Sequence, residues 1–382
     1  MKNFKRALKT FFIFLLLSAP LTISAGAQGN TAEEYYSEQY RISRAEDLKD
    51  ALPQDAKDYM ESIGIDEADF YSIFEASPKK LFELLMNIAS GKIGETLKGM
   101  LKILGIILLA AAARSLFPPD GRLETALNIS VGAAVVISAA APLSDAISRG
   151  VSAITASSDF MLVLVPVMAG VITAGGNPML ALSYNSLTFA AAQAVSQLSK
   201  NVVLPLSGMF MATGIISGLA PELKLNSLSD VIKKTALGTL SFSAAMFSAV
   251  LSLKGIMACS ADSLLSKGIK LAVSSAVPVV GGAISEAYSS IVGSLALLKN
   301  AVGMFGITAV AVINLPVMLE LLFWTICFKL SAVFSAVLGD DKSSEMLGVI
   351  SSALTVINVM VLFCALIFII STGIILSLRM SV

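Results

Sequence analysis

Few side chains in this chain could carry chemistry. It contains no histidine, which removes the commonest metal ligand and general base and every Ser-His or Cys-His nucleophile pair. Its three cysteines, Cys259, Cys327 and Cys364, stand far apart in apolar surroundings, without metal-ligand spacing. They read as buried small hydrophobes. No GxxxxGK[ST] loop occurs, so no nucleotide site and no cofactor are expected, and any energy source must be another protein or a gradient. What is left is ionisable groups inside apolar runs, where charge is costly and usually faces protein or water. Most of these, Arg114, Asp145, Asp159, Lys254 and Lys329 among them, fall near predicted helix ends. Glu286 and Glu320 are the better candidates for a functional interior.

A second group of residues could shape a path rather than react. Val165-Pro166-Val167-Met168-Ala169-Gly170-Val171-Ile172 and Val277-Pro278-Val279-Val280-Gly281-Gly282-Ala283-Ile284 agree at five of eight positions and start 112 residues apart. Proline opens the backbone ladder, and glycine lets another helix or a solute approach. Pro166, Gly170, Pro278, Gly281 and Gly282, with Glu286 and Glu320, are therefore the expected pore or packing positions. Paired interrupted helices in two halves would be the sign of a transporter-type repeat. Chance matching in a chain rich in Pro, Gly, Ala and Val is the competing explanation.

The elements that must position these residues are helices in a membrane. The chain has 382 residues, 55% hydrophobic and 14% charged, with a mean hydropathy of +0.80. An ordinary soluble domain carries about 25% charged residues, so a soluble enzyme and a disordered chain are both excluded. Twenty-seven basic and 27 acidic residues cancel, leaving no global basic field for nucleic acid. From Met100 onward, apolar runs at about 100–117, 125–147, 159–175, 179–198, 202–220, 235–255, 271–297, 301–338 and 346–378 predict an all-α bundle of about eight to ten spans. Pro316 marks where the eighth run would divide in two. Alanine clusters at 110–113, 139–141 and 190–192 permit close helix packing and homo-oligomer contacts.

Three regions are expected. Residues 1–27, with Lys2, Lys5, Arg6 and Lys9 ahead of an apolar run and a small-x-small site at Ala25-Gly26-Ala27, read as a cleaved signal peptide. Residues 28–98 carry 15 acidic against 8 basic side chains and read as a small exported domain. Within it, 28–45 are polar and read as disordered. Ala56, Tyr59, Met60 and Ile63 then follow helical spacing. Ser77-Pro78 starts a further helix, with an apolar stripe at Leu81, Leu84, Leu85 and Ile88. Residues 99–382 form the multi-pass region. A cleaved signal peptide puts Arg114 and Arg122 on the cytoplasmic side and Arg149 outside.

This combination resembles the stage III sporulation protein AE family of endospore-forming bacteria. Residues 276–287, with Pro278, Gly281, Gly282 and Glu286, are similar to its best-kept segment, and the likeness extends over roughly 30–380. The resemblance implies a non-enzymatic multi-pass component of a channel or secretion-like complex in the mother-cell membrane around the forespore. Its partners would be sister stage III proteins, including an ATPase and ring-forming subunits. It carries over no catalytic residue. The alternative is an independent secondary transporter coupling ions through Glu286 or Glu320.

Overall fold

The computed structural model describes residues 30–68, 78–116, 121–198 and 281–377, with isolated positions between 201 and 253. The expected signal peptide, Ser77, Pro278 and, apart from those isolated positions, the runs 202–220 and 235–255 lie outside the described residues. Among the described residues every regular element is helical.

The polar stretch read as disordered is instead a helix, α1 (Asn30–Ile42). Tyr36 and Tyr40 explain the difference. Four residues apart, they stack with ring centroids 6.4 Å apart and pack against the core, giving a polar helix one apolar edge. A 3-10 turn (Ala45–Leu48) and α2 (Gln54–Ser62) follow. Ala56, Met60 and Ile63 are buried on the expected stripe. The next helix, α3 (Pro78–Leu116), starts at the predicted proline and runs unbroken through residue 98.

The long apolar runs are fused rather than separate. Runs 125–147 and 159–175 lie in one 54-residue helix, α4 (Gly121–Ala174), continuous through Pro142 and Pro166. Run 301–338 lies in the 57-residue helix α6 (Gly281–Val337), continuous through Pro316. Between them, α5 (Pro178–Leu198) carries Asn185, Gln193 and Gln197. Among the described residues, four helices are long and apolar enough to cross a membrane, and α5 is not one of them: they are α3, α4, α6 and α7 (Asp341–Ser377). Pro166 does not break α4. Its side chain sits on the exposed face, so its ring meets no neighbouring helix, and α4 absorbs the lost N–H bond and the ring's crowding of the preceding turn.

Two turns set the register. At Gly176 (φ 80°), Asn177 N–H donates to Ile172 O at 3.1 Å and Gly176 N–H to Thr173 O at 3.0 Å. At Gly339 (φ 77°), Asp340 N–H donates to Ser335 O at 2.9 Å and Gly339 N–H to Ala336 O at 3.0 Å. Both are left-handed caps that satisfy terminal carbonyls and reverse the chain within a few residues. They make α4–α5 and α6–α7 antiparallel hairpins.

Cross-helix contacts fix relative heights. A Cβ at Gly150 would meet Ile357 and Leu321, and one at Gly303 would meet Met168 and Leu376. Thus α4 and α7 rise together while α6 descends beside them. The result is two stacked layers. The lower contains α3 from Lys92 onward, the first half of α4, the second half of α6 and the first half of α7. The upper contains the second half of α4, α5, the first half of α6 and the second half of α7. Gly64, which closes α2, lies near Lys80, about 18 Å along α3 from Lys92, so the N-terminal helices sit on the upper side.

Candidate functional site: two charged planes in an apolar bundle

The boundary between the layers is marked by a carboxylate shared between two cations. Glu320 Oε2 lies 3.1 Å from Lys92 Nζ on α3 and 3.2 Å from Arg149 Nη1 on α4. The glutamate side chain is 6% exposed, Lys92 28% and Arg149 41%. A carboxylate buried alone would cost several kcal/mol; here two cations that each keep some water lie against it and offset that cost. The triad carries one net positive charge.

The lower layer ends at a second ion pair. Arg114 Nη2 at the end of α3 lies 3.1 Å from Asp340 Oδ2, whose side chain is 3% exposed. Asp340 Oδ1 also accepts Ser343 N–H at 3.2 Å, capping α7, and Ser335 Oγ donates to Asp340 O at 3.0 Å. One aspartate thus fixes the α6–α7 turn, starts α7 and anchors α3. Lys92 and Arg114 are about 33 Å apart along α3, and Glu320 lies about 26 Å along α6 from its end at Val337, where the Asp340 turn begins. The hydrocarbon core of a bilayer is about 30 Å thick.

The upper layer has its polar groups inside. Asn314 Nδ2 donates to Ser157 Oγ and Val310 O, both at 2.7 Å. The Thr188 and Ser371 hydroxyls are 2.8 Å apart. Buried Lys299 donates to Ile375 O at 3.4 Å. Gly303 and Gly306 admit Leu376 and Leu164 where a Cβ would collide.

The residues singled out in the sequence are not brought together into one site. Glu320 joins a buried cluster. Pro166 and Gly170 are exposed, and a Cβ at Gly170 would meet nothing within 4 Å. Gly281 and Gly282 open the described part of α6, about 57 Å from Glu320 along the helix. Pro278 and the Glu286 side chain lie outside the described residues. Sequence reasoning missed Lys92, which belonged to the acidic segment, and Arg149, which read as a polar link. The 171-residue separation between Arg149 and Glu320 hides their pairing. The available signal was the spacing: Lys92 to Arg114, about 33 Å, and Glu320 to the end of α6, about 26 Å, are each close to one bilayer thickness.

A family model described as stage III sporulation protein AE matches residues 66–378. A protein of Bacillus subtilis (strain 168) named Stage III sporulation protein AE is 25% identical over 232 residues, covering 61% of this chain and 58% of that protein. The alignment therefore spans less than two thirds of the relative's length. No solved structure matches the chain.

Proposed function

The chain belongs to the stage III sporulation protein AE family, and we propose that it acts as a non-enzymatic, multi-pass membrane component of a channel or secretion-like complex between mother cell and forespore. The observation that carries this reading is the lower layer: four apolar helix segments about one bilayer thick, closed at each end by an ion pair. Its outer surface is bare, with Leu101, Leu108, Leu109, Ile129, Ile137, Ile326, Leu330, Val333 and Phe334 exposed. A soluble surface would hide a patch of this kind. Among the described residues of the upper layer, the exposed large apolar side chains are Val163 on α4 and Met179, Leu182 and Phe189 on α5, with Phe82 and Met86 on α3 above Lys92.

We assign the lower layer to the hydrocarbon. The Lys92–Glu320–Arg149 plane then faces the exported side, with residues 28–91 and the upper layer beyond it, and Arg114–Asp340 faces the cytoplasm. This sense agrees with cleavage of the signal peptide after Ala27. Sister stage III proteins, including an ATPase and ring-forming subunits, would supply energy and complete the conduit. Ion-coupled transport through Glu320 is the weaker reading, because two cations already share that carboxylate.

The test is an in-frame deletion in the native host, complemented by the intact chain. Arrest after engulfment, with complementation, is expected; normal spore yield would overturn the role. A cysteine at exposed Ser37 should react with an impermeant thiol reagent on intact cells. Reaction only after lysis would reverse the orientation.

A further inference from the structure

Helix α5 is aimed at a bare strip of the lower layer. It runs down α4 from the Gly176 turn, so Leu198 and Ile154, equally far in sequence from that turn, come level about 8 Å above Arg149. It packs on both α4 and α7, where Thr188 meets Ser371, while Leu164 and Met168 meet α6 on another side of α4. Ser158 and Ala169 lie about 120° and 140° round α4 from Leu164, and both are buried. Beneath them the same side is uncovered. Ala140 lies about five full turns below Ser158, and Ala133 about ten below Ala169. Both are exposed, as is Ser144, and Ile137 between them is 75% exposed. What differs between the two heights is α5, which stops at Leu198.

We propose that residues 202–220 of this chain continue the descent of α5 through the hydrocarbon and pack on this strip of α4. As a helix the run is about 28 Å long, against about 26–33 Å for the lower layer. Extending the α4–α5 pairing past Leu198 sets Ser207 beside Ser144, Phe210 beside Ala140, Gly214 beside Ile137 and Ser217 beside Ala133. Each large side chain then meets a small one, the arrangement that lets helices approach closely in lipid. Among the run's described positions, Pro205, Met209, Ala212 and Ile216 are exposed. They recur at helical spacing, and Ser207, Phe210, Gly214 and Ser217 fall on the opposite side of the same helical wheel. The link that follows, with Lys224, Lys233 and Lys234, reaches the cytoplasmic end, where basic residues are favoured.

This placement rests on the lower layer lying in the bilayer, and the experiment separates the two claims. In native membranes, the full chain carrying Ile137→Cys with Gly214→Cys, or Ser144→Cys with Ser207→Cys, should form a disulfide on mild oxidation. Mass spectrometry should recover it as one linked peptide pair from the monomer band. Ile137→Cys with Ile216→Cys, level in height but with Ile216 on the outward side, should link at least fivefold less. Gly214→Ile, which would crowd Ile137, should lower the Ser144–Ser207 link at least fivefold, and adding Ile137→Gly should restore it. Equal linking of the matched and outward pairs, no link in either matched pair at normal membrane levels, or no recovery on the size swap would overturn the packing. Linked peptides confined to a dimer band would give the strip to a second copy instead. Reaction of both Leu109→Cys and Phe334→Cys with a water-borne charged thiol reagent would remove the bilayer placement itself; failed disulfides with both sites protected would remove only the packing of 202–220.

Discussion

The two layers are built from the same three helices and nearly the same residue types, yet they are held differently. The lower layer keeps its charges at its ends, in Lys92–Glu320–Arg149 and Arg114–Asp340, and leaves its sides bare. The upper layer puts polar groups at its centre, in Asn314–Ser157, Thr188–Ser371 and Lys299–Ile375, and lets helices approach at Gly303 and Gly306. Hydropathy does not distinguish them. The most apolar helix, α7, passes through both, and its best window has a mean hydropathy of 2.9. What separates the layers is where the polar groups sit. Charges at the ends suit a slab that meets water at two surfaces. Hydrogen bonds and close backbone approach inside suit helices held to one another.

The largest effect should come from removing the shared carboxylate. Glu320→Leu leaves Lys92 and Arg149 side by side without their counter-charge and should destabilise the purified chain by about 2–3 kcal/mol. This lies below the ~3–5 kcal/mol of a fully buried pair because Arg149 is partly solvated. Adding Lys92→Leu and Arg149→Leu should recover most of that loss, since apolar groups of similar size replace buried ion pairs at little cost. Thermal unfolding in detergent measures both. If the triple variant is no more stable than Glu320→Leu, the ion cluster is not what joins the layers.

How much of this was legible in the sequence depends on what each residue's neighbours could reveal. The all-helical character and membrane length of α3, α4, α6 and α7 followed from apolar runs. The Ala56-Met60-Ile63 stripe and the start of α3 at Pro78 were equally local signals. Whether two runs make two spans or one long helix was not legible. Periodicity continues across a polar link such as 148–158, and packing against neighbouring helices carries α4 and α6 through prolines that a lone helix would not tolerate. The triad joins residues far apart in the chain, and no local pattern encodes that. Glu320 could be picked out because a carboxylate in an apolar run stands out without knowledge of its partner.

In the upper layer, Gly306→Leu should cost about 1–3 kcal/mol, because the added side chain would enter the space held by Leu164. Gly150→Val, at the boundary, would meet Ile357 Cγ2, which lies 2.8 Å from the Cβ position, and should fall in the same range. Unfolding midpoints in detergent check both. No loss for Gly306→Leu would mean that the upper layer is not held by close helix approach.

At the lower end, Asp340→Asn keeps an acceptor for Ser343 N–H but loses the charge opposite Arg114, and should cost about 1 kcal/mol. Asp340→Ala loses the cap as well and should cost roughly 1 kcal/mol more. Equal losses for the two would show that the ion pair, not the cap, closes this end. The same unfolding series decides it.

The smallest effect should come from Gly170→Ala, and it separates packing from partner binding. Gly170 lies two residues from Met168, which crowds Gly303, yet a Cβ at Gly170 itself points into open space. Alanine restricts the unfolded chain and suits a helix better than glycine, so the substitution should be neutral or stabilising by up to about 1 kcal/mol. Gly306→Leu on the facing helix should destabilise. If Gly170→Ala unfolds at or above the parent's midpoint and spore yield is unchanged, this outward Pro166–Gly170 face needs no close contact. A loss of stability would mean that another helix already covers the face. A loss of spore yield at full stability would make it a contact for a second protein, with the close approach moved from within the chain to its outside.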